Sequence, residues 1–466
     1  MKNLKIVIIR LILIYAIPAN SQNNHPPSPT LELEWRAIES QVNHGLILDA
    51  KEAILKILNK SRRENWQDQI CKSYIYLAKI SAIKNKIWEA GFIQQLETYL
   101  PELDEPYLSI TKSIIAELYL TLPRNGEYEQ LFGIIDQEIE SDEDSSNVGY
   151  WNLSKLNKKA IEYLQSSIQN KKLNQYNTTD YRLLLEIGQD TIEQPTLLDI
   201  ILSRAIKLYP KEYNRNKIFT KDILPDSSLL NPEFFIQADL SIYPQLTLYQ
   251  ELLKHKINSG NIAGLIETWL TLLTYDISND FNFNLQYLNI LYDSYENYKR
   301  YPYADHILLK IIDFYDHKVK YQKNANIETR VYAQKVDSLC YQILKQNRNT
   351  TCINEAKNIL DELHLKDATF EIEKENLPNQ NFKCLVKFRN TENLYFRLYK
   401  LTPEIYSKMI NSWDNIETEY LKGKLIKTWE DAAPKTSDYL THSIECKIDP
   451  LDVGLYCLVL SCTKEE

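Results

Sequence analysis

The 466-residue sequence is 44% apolar and 25% charged with a net charge of −9, the balance of a chain with an ample core and room for several domains or one long repeat array. An acidic chain without a basic stripe is poorly matched to nucleic acid or to anionic lipid, so those partners are excluded first. Ten glycines are few and 32 tyrosines are many; scarce Gly fits a helix-rich chain, because Gly is costly inside helices.

Residues 1–21 read as a cleavable signal peptide. Lys2 and Lys5 form its basic end, residues 6–17 an apolar run interrupted by Arg10, and Ala19-Asn20-Ser21 a small-x-small cleavage site before Gln22. The run is short for a bilayer span, and no Cys follows it to carry a lipid anchor. Residues 22–29 (QNNHPPSP) are a Pro-rich linker.

From Thr30 to about Lys366 the apolar spacing predicts helix after helix. Leu31, Trp35, Ile38 and Val42 line one helix that Gly45 ends; Ala50, Ala53, Ile54, Ile57 and Leu58 line the next. A large aromatic in the first helix, Gly at the turn and Ala in the second is the pattern of a tetratricopeptide-like repeat, in which small residues let paired helices approach. The turns at 124–128, at Asn258-Ser259-Gly260-Asn261 and at Tyr301-Pro302-Tyr303-Ala304 continue it. In the second of these, Gly260 suits a left-handed helix end and Asn261 suits a cap on the helix that follows. Two breaks interrupt the series. Residues 138–147 (EIESDEDSSN) read as a solvated acidic loop without calcium-loop spacing. Residues 222–232, with Pro225 and Pro232, separate a first helical block, 30–224, from a second, 225–366.

At Ala368 the period changes from helical to two. Phe370 and Ile372, then Phe382, Cys384, Val386 and Phe388, then Leu394, Phe396 and Leu398 alternate with polar residues, as strands with one buried face do. Turn formers at 376–379 and 389–393 divide them into three successive antiparallel strands. Pro403 opens a short helix carrying Ile405, Met409, Trp413 and Ile416. Two further strands are expected at 441–448 and 454–462. The last is apolar on both faces, which predicts a central position. The expected fold is therefore mainly α, a TPR-like helical solenoid, followed by a small C-terminal all-β sandwich at 368–466. Five strands are visible in it, and a seven-stranded sandwich requires two more.

No phosphate-binding, zinc-protease or nucleophile-elbow motif is present. The seven cysteines (71, 340, 352, 384, 446, 457, 462) include no CxxC and no zinc spacing with His. Most read as buried free thiols, and an exported chain permits one bridge, Cys384 with Cys446 or with Cys457. The histidines at 25, 44, 255, 306, 317, 364 and 442 are scattered and read as surface or capping residues. Carboxylate pairs such as Glu371/Glu373 and Asp276/Asp280 have no partner pattern that makes either an acid–base pair. Tyr74, Tyr76, Tyr119, Tyr163, Tyr287, Tyr292, Tyr295 and Tyr298 either line a concave binding groove or pack helix on helix with the hydroxyl reaching water. No catalytic, cofactor-binding or metal residue is assigned, and no cofactor is expected.

Several stretches together resemble the N-terminal region of the large alpha-2-macroglobulin-like proteins exported by Bacteroidetes. They are Trp151-Asn152-Leu153; Gln194-Pro195-Thr196-Leu197-Leu198-Asp199 with Arg204-Ala205; residues 246–255 (LTLYQELLKH); residues 373–401, with NLPNQNF and NLYFRLYKL; residues 438–443 (DYLTHS); and Val453-Gly454-Leu455-Tyr456. The resemblance covers nearly all of the chain after the leader. It implies a helical region followed by a first macroglobulin-like domain, in a secreted or periplasmic protein related to broad-spectrum protease traps. The bait segment and Cys-Gly-Glu-Gln thioester of such traps belong further downstream in the family and have no counterpart here. The expected function is thus protein binding without chemistry and without trapping, by an exported monomer whose partner is a protease or an envelope protein. The alternative is a stand-alone cell-envelope scaffold that binds a peptide or partner protein in a TPR-like groove.

Overall fold

The computed structural model describes residues 31–82, 88–122, 148–181, 183–184, 192–210, 231–275, 285–321, 327–411 and 419–464. The expected signal peptide at 1–21, the expected linker at 22–29, the turn expected at 124–128, the acidic stretch 138–147, nearly all of the break expected at 222–232, Asp276, Asp280, Trp413 and Ile416 lie outside them. The chain is mainly helical with a C-terminal β region, and it divides into two compact units at 276/277. This division falls inside the second helical block, so the first part of that block belongs with the N-terminal unit and the rest with the strands.

In the first unit, α1 (Glu32–Asn43), α2 (Ile47–Glu64), α3 (Gln67–Ala82), α4 (Trp88–Tyr99) and α5 (Tyr107–Thr121) pack each on its neighbour in sequence. Gly45 takes φ +75° at the α1–α2 turn, where a side chain is disfavoured. Trp35 and Ala50 meet in the core, both essentially inaccessible. Next, α6 (Leu153–Ser167) packs on α5, and α7 (Leu197–Leu208) contacts both α5 and the later helix α9. A single turn, α8 (Pro232–Phe235), precedes α9 (Pro244–Ser259) and α10 (Ile262–Tyr275). Pro244 occupies the first turn of α9, where its missing N–H costs nothing, so the helix begins there. Gly260 ends α9 in the left-handed region, and the Asn261 side chain accepts from Gly264 N at 2.9 Å, capping α10.

The second unit opens with α11 (Leu285–Tyr298), α12 (Asp305–Tyr321), α13 (Ile327–Gln346) and α14 (Thr350–His364), again packed in sequence. Pro302–Ala304 forms a 3₁₀ turn leading into α12. The strands are β1 (Asp367–Glu371), β2 (Phe382–Arg389), β3 (Asn393–Leu401), β4 (Lys424–Ala432), β5 (His442–Ile448) and β6 (Leu455–Ser461), with α15 (Pro403–Asn411) between β3 and β4. They form two antiparallel three-stranded sheets, ordered β1-β2-β5 and β4-β3-β6. The sheets share one core of Cys384, Val386 and Phe388 from β2, Leu394 and Phe396 from β3, and Cys446 and Ile448 from β5.

Three expectations change. First, β1 pairs with β2, but β3 does not continue that sheet. Asn390, at φ +55°, turns the chain from one sheet to the other, and its side-chain amide donates to Leu363 O and Leu365 O at the end of α14. Second, β4 is a sixth strand that the period-two pattern missed, because it buries neither face fully. Third, β6 is an edge strand whose residues are all half-buried, and the central strands are β2 and β3. Apolar residues on both faces do not distinguish a doubly covered strand from a partly covered one.

The alternation itself has the expected sense. Val386, Phe396 and Leu398 are buried and Phe382 half-buried, whereas Lys383 and Lys400 are exposed and Lys387 and Arg397 half-buried. Phe396 is 1% exposed and stacks on Trp429 at 4.9 Å. Phe396→Ala is expected to destabilise the second unit by about 3–5 kcal/mol in denaturant titration. A loss below about 1 kcal/mol, the size of a surface change, would contradict this core assignment.

Candidate functional site

β4 differs most from its neighbours in environment. It pairs with β3 along one side, from Asn393↔Ala432 to Lys400↔Lys424. No described strand pairs with its other side. Leu425 and Ile426 are 48% and 46% exposed. Trp429 anchors the strand: its ring lies parallel to Phe396, its Nε1 donates to Asp431 Oδ2 at 3.3 Å, and Lys427 Nζ sits 5.2 Å from its centroid. Lys427 also reaches Asp449, just past β5, at 2.5 Å. Both side chains of that pair are about half exposed, so the link between the two sheets is worth under about 1 kcal/mol and is easily displaced.

A cleft of about 290 Å³ lies beside this link, lined by the apolar Leu398, Trp429, Ile448 and Leu451 and by Lys447, Glu430 and Asp431. An edge to which no described strand is paired, next to apolar side chains, is the arrangement that strand addition by another polypeptide uses. Charge along β4 is ordered, with Lys424 and Lys427 toward the start and Glu430 and Asp431 toward the end. Sequence periodicity did not mark this edge. Its only signals are Leu425 and Ile426 side by side and a Trp amid charges.

The tyrosines singled out as groove candidates are turned to packing. Tyr74 donates to Glu102 Oε2 at 2.5 Å, and Tyr76 to Glu39 Oε1 at 2.6 Å. Tyr119 and Tyr163 both donate to Glu97 Oε1, at 2.9 and 2.8 Å, and their rings stack with 5.9 Å between centroids. Tyr292 meets the Tyr315 hydroxyl at 3.1 Å, while Tyr295 accepts from Gln342 and Gln346. Tyr287 is buried and Tyr298 half-buried. The hydroxyls of Tyr74, Tyr76, Tyr119, Tyr163, Tyr292 and Tyr295 thus bond to side chains of other helical segments. Histidines also serve locally: His44 against Ser40 O at the end of α1, His306 with Asn349, His364 with Asp337 and His442 with Asp438. Glu371 pairs with Lys387 across β1 and β2, whereas Glu373 is exposed. Among the described residues no three His, Cys, Asp or Glu side chains group as metal ligands. None of their helices is long and apolar enough to cross a membrane.

Two buried charge sites lie in the first unit. Asp199, three residues into α7, closes a capping box with Thr196 and sets Oδ1 2.7 Å from Lys256 Nζ and 3.2 Å from His255 Nε2. Lys256 also donates to the Glu193 carbonyl. Burial alone would raise the Asp199 carboxyl, but the His255 hydrogen bond and the Lys256 charge outweigh it and hold it below the usual range. Burial lowers the Lys256 ammonium despite Asp199. Gly264 is required nearby, since a Cβ there would stand 2.5 Å from Glu193 O and 2.7 Å from Lys256 Nζ. Lys256 and His255 on Asp199 join α7 to α9, and His255 thereby joins the stretch 246–255 to the stretch 194–199. Arg204 on α7 completes the joint, donating to Ser113 Oγ at 3.1 Å and Glu117 Oε2 at 2.7 Å on α5.

Lys72 on α3 is the second site. It is 4% exposed and its Nζ has no hydrogen-bond partner; instead it lies 4.5 Å from the Trp35 ring centroid and 5.7 Å from that of Tyr76. Burial pushes its ammonium down to about 8, with Glu39, Asp68 and Glu32 drawing it back upward.

Comparison of the chain with protein-family models, with curated proteins and with solved structures returns no match.

The Lys72 site carries a pH signature. Its ammonium titrates near 8 in the folded unit against 10.5 unfolded. At this group the unfolded chain therefore binds more protons between those values, so the Lys72 contribution to stability rises with pH across that window. The buried Cys71 thiol and tyrosines, raised by burial, contribute in the opposite sense, and the Lys72 part is read as the difference between wild type and a Lys72 variant. Lys72→Met is expected to abolish this rise and to stabilise the first unit by roughly 1–3 kcal/mol at neutral pH. Unfolding curves at pH 7 and at pH 10 check both parts. A destabilised Lys72→Met variant would mean that the cation–π contacts outweigh the desolvation.

Proposed function

We propose that the chain is an exported, non-enzymatic protein that recognises another protein through its β-sandwich. In this reading it is related to the N-terminal part of alpha-2-macroglobulin-like protease traps and binds without trapping. The observation that carries the reading is the open edge of β4, which has half-exposed Leu425 and Ile426 near its start and a partly apolar cleft beside Lys427 and Trp429. An added strand from a partner would satisfy the edge backbone groups and cover these side chains. Antiparallel to β4, the matching segment has a basic residue facing Asp431 and, four residues later, an acidic one facing Lys427. A partner segment with that order of charge is matched to β4 in the antiparallel sense.

The helices of the two units bear on this reading by what they disfavour. Their prominent tyrosines bond to carboxylates and amides of neighbouring helices, which disfavours a tyrosine-lined groove as the recognition surface. Export rests on residues 1–21, and the secreted or periplasmic location follows from it.

The test uses the chain recovered from the cell envelope or medium, whose N-terminus is expected at or near Gln22. Mixed with a defined set of endopeptidases and envelope proteins, it should form a stable, uncut complex while the protease stays active on small and large substrates. Ile426→Asp should weaken that complex by about tenfold or more, without loss of folding, because the residue is exposed. A complex indifferent to charges at Leu425 and Ile426 would contradict recognition at this edge. Turnover of any substrate, lost on a single Asp or Glu change, would contradict the non-enzymatic reading.

A further inference from the structure

β2 and β5 are adjacent in one sheet, and their antiparallel register sets Cys384 directly across from Cys446, between the pairs Lys383↔Lys447 and Leu385↔Glu445. Both side chains point into the sandwich core and are almost fully buried, at 1% and 5% exposure. Residues directly opposite in an antiparallel ladder have Cα atoms roughly 4.5–5.5 Å apart, inside the roughly 4.4–6.8 Å window that a disulfide spans. The Cys446 backbone N–H also faces the Cys384 thiol, and the Cys446 thiol feels that of Cys384. The two thiols therefore stand as direct cross-strand neighbours on the buried face of one sheet.

The other cysteines are placed differently. Cys71 is in the first unit, 3.4 Å from Thr111 Oγ1. Cys340 and Cys352 are on α13 and α14. Cys457 is on β6, in the other sheet, and Cys462 lies just beyond that strand; both are half-buried. Of the two bridges open to an exported chain, register selects Cys384–Cys446.

We propose that Cys384 and Cys446 form a cross-strand disulfide. The two thiols join in one S–S bond and give up two protons and two electrons to a small-molecule disulfide such as oxidised glutathione, which is reduced to two thiols. Exchange proceeds through a mixed disulfide on one cysteine, whose thiolate partner is displaced when the second cysteine attacks. In the folded domain, burial keeps both thiols protonated, and the Asp431 carboxylate opposes ionisation further. The bond therefore forms fast in the unfolded chain and slowly in the folded one. Once formed it closes a ring holding β3, β4 and α15, and fastens β5, which is otherwise held in its sheet by β2 alone, to the central strand.

The experiment is refolding of the full chain in a glutathione redox buffer, followed by acid quench, alkylation and mass spectrometry without reductant. The expected product has lost two hydrogens and gives one linked species joining the tryptic peptides 384–387 and 436–447. It unfolds at a higher temperature than the reduced chain. Cys384→Ala/Cys446→Ala should lack both the link and the thermal shift. Cys384→Val, made alone to keep core volume, should leave Cys446 alkylatable after denaturation. Alkylation of both Cys384 and Cys446 in the oxidised, denatured wild-type chain would overturn the proposal, as would bridges from either residue to Cys457 or Cys462. The readout is independent of any partner, so its failure leaves the protein-binding reading intact.

Discussion

A three-stranded sheet has two edges, and this sandwich is built from two such sheets. Only β2 and β3 are paired on both sides, and these two strands supply most of the fully buried side chains. Among the described residues the four remaining strands are each paired with a strand along one side alone, and the other side must be managed by other means. Several features follow from that shortage of interior. β6 is apolar yet only half-buried, β4 is exposed along most of its length, and β5 is held in its sheet by a single neighbour. The proposed docking edge and the proposed disulfide are two consequences of one geometry, in which a small core leaves its periphery to be completed by a partner or by a covalent link.

The first unit meets a different constraint, buried charge. Taking an ion pair out of water is compensated only when geometry and further hydrogen bonds are good. Asp199 meets that condition through Thr196, His255 and Lys256, and the result is a rigid joint between α7 and α9. The stretches in that joint are also among those that resemble the macroglobulin-like family. Their residues act here as caps, ion pairs and interhelix bonds, so whatever the resemblance conveys about ancestry, these stretches serve architecture. Lys72 lacks such partners and relies on two aromatic faces, which makes the same unit carry one well-compensated buried charge and one poorly compensated.

Periodicity was informative wherever one face of an element is buried and the other wet. β2 and β3 were legible for that reason, and so were the helix ends at Gly45 and Gly260, where the backbone needs a left-handed residue. β4 was not, because an edge strand exposed on both faces has no reason to alternate. β6 misled in the opposite direction: continuous apolar character is shared by a central strand and a partly covered edge. The tyrosines were ambiguous because hydroxyl partners such as Glu97 and Glu102 stand on other helices, and sequence spacing does not reveal which helices meet. The Asp199–Lys256 pair was hidden for the same reason, whereas Cys384 with Cys446 stood as one of two pairings, and only the strand register sets Cys446 rather than Cys457 opposite Cys384.

Recognition at β4 requires that the outer backbone groups of that strand be free, and native-state amide hydrogen exchange across the second unit reads this directly. The account predicts that amides in Lys424–Ala432 facing away from β3 exchange orders of magnitude faster than those of β2 and β3, which should open only with global unfolding. Uniform protection of β4 at the level of the central strands in the isolated chain would mean that its edge is already covered, and would contradict the central claim.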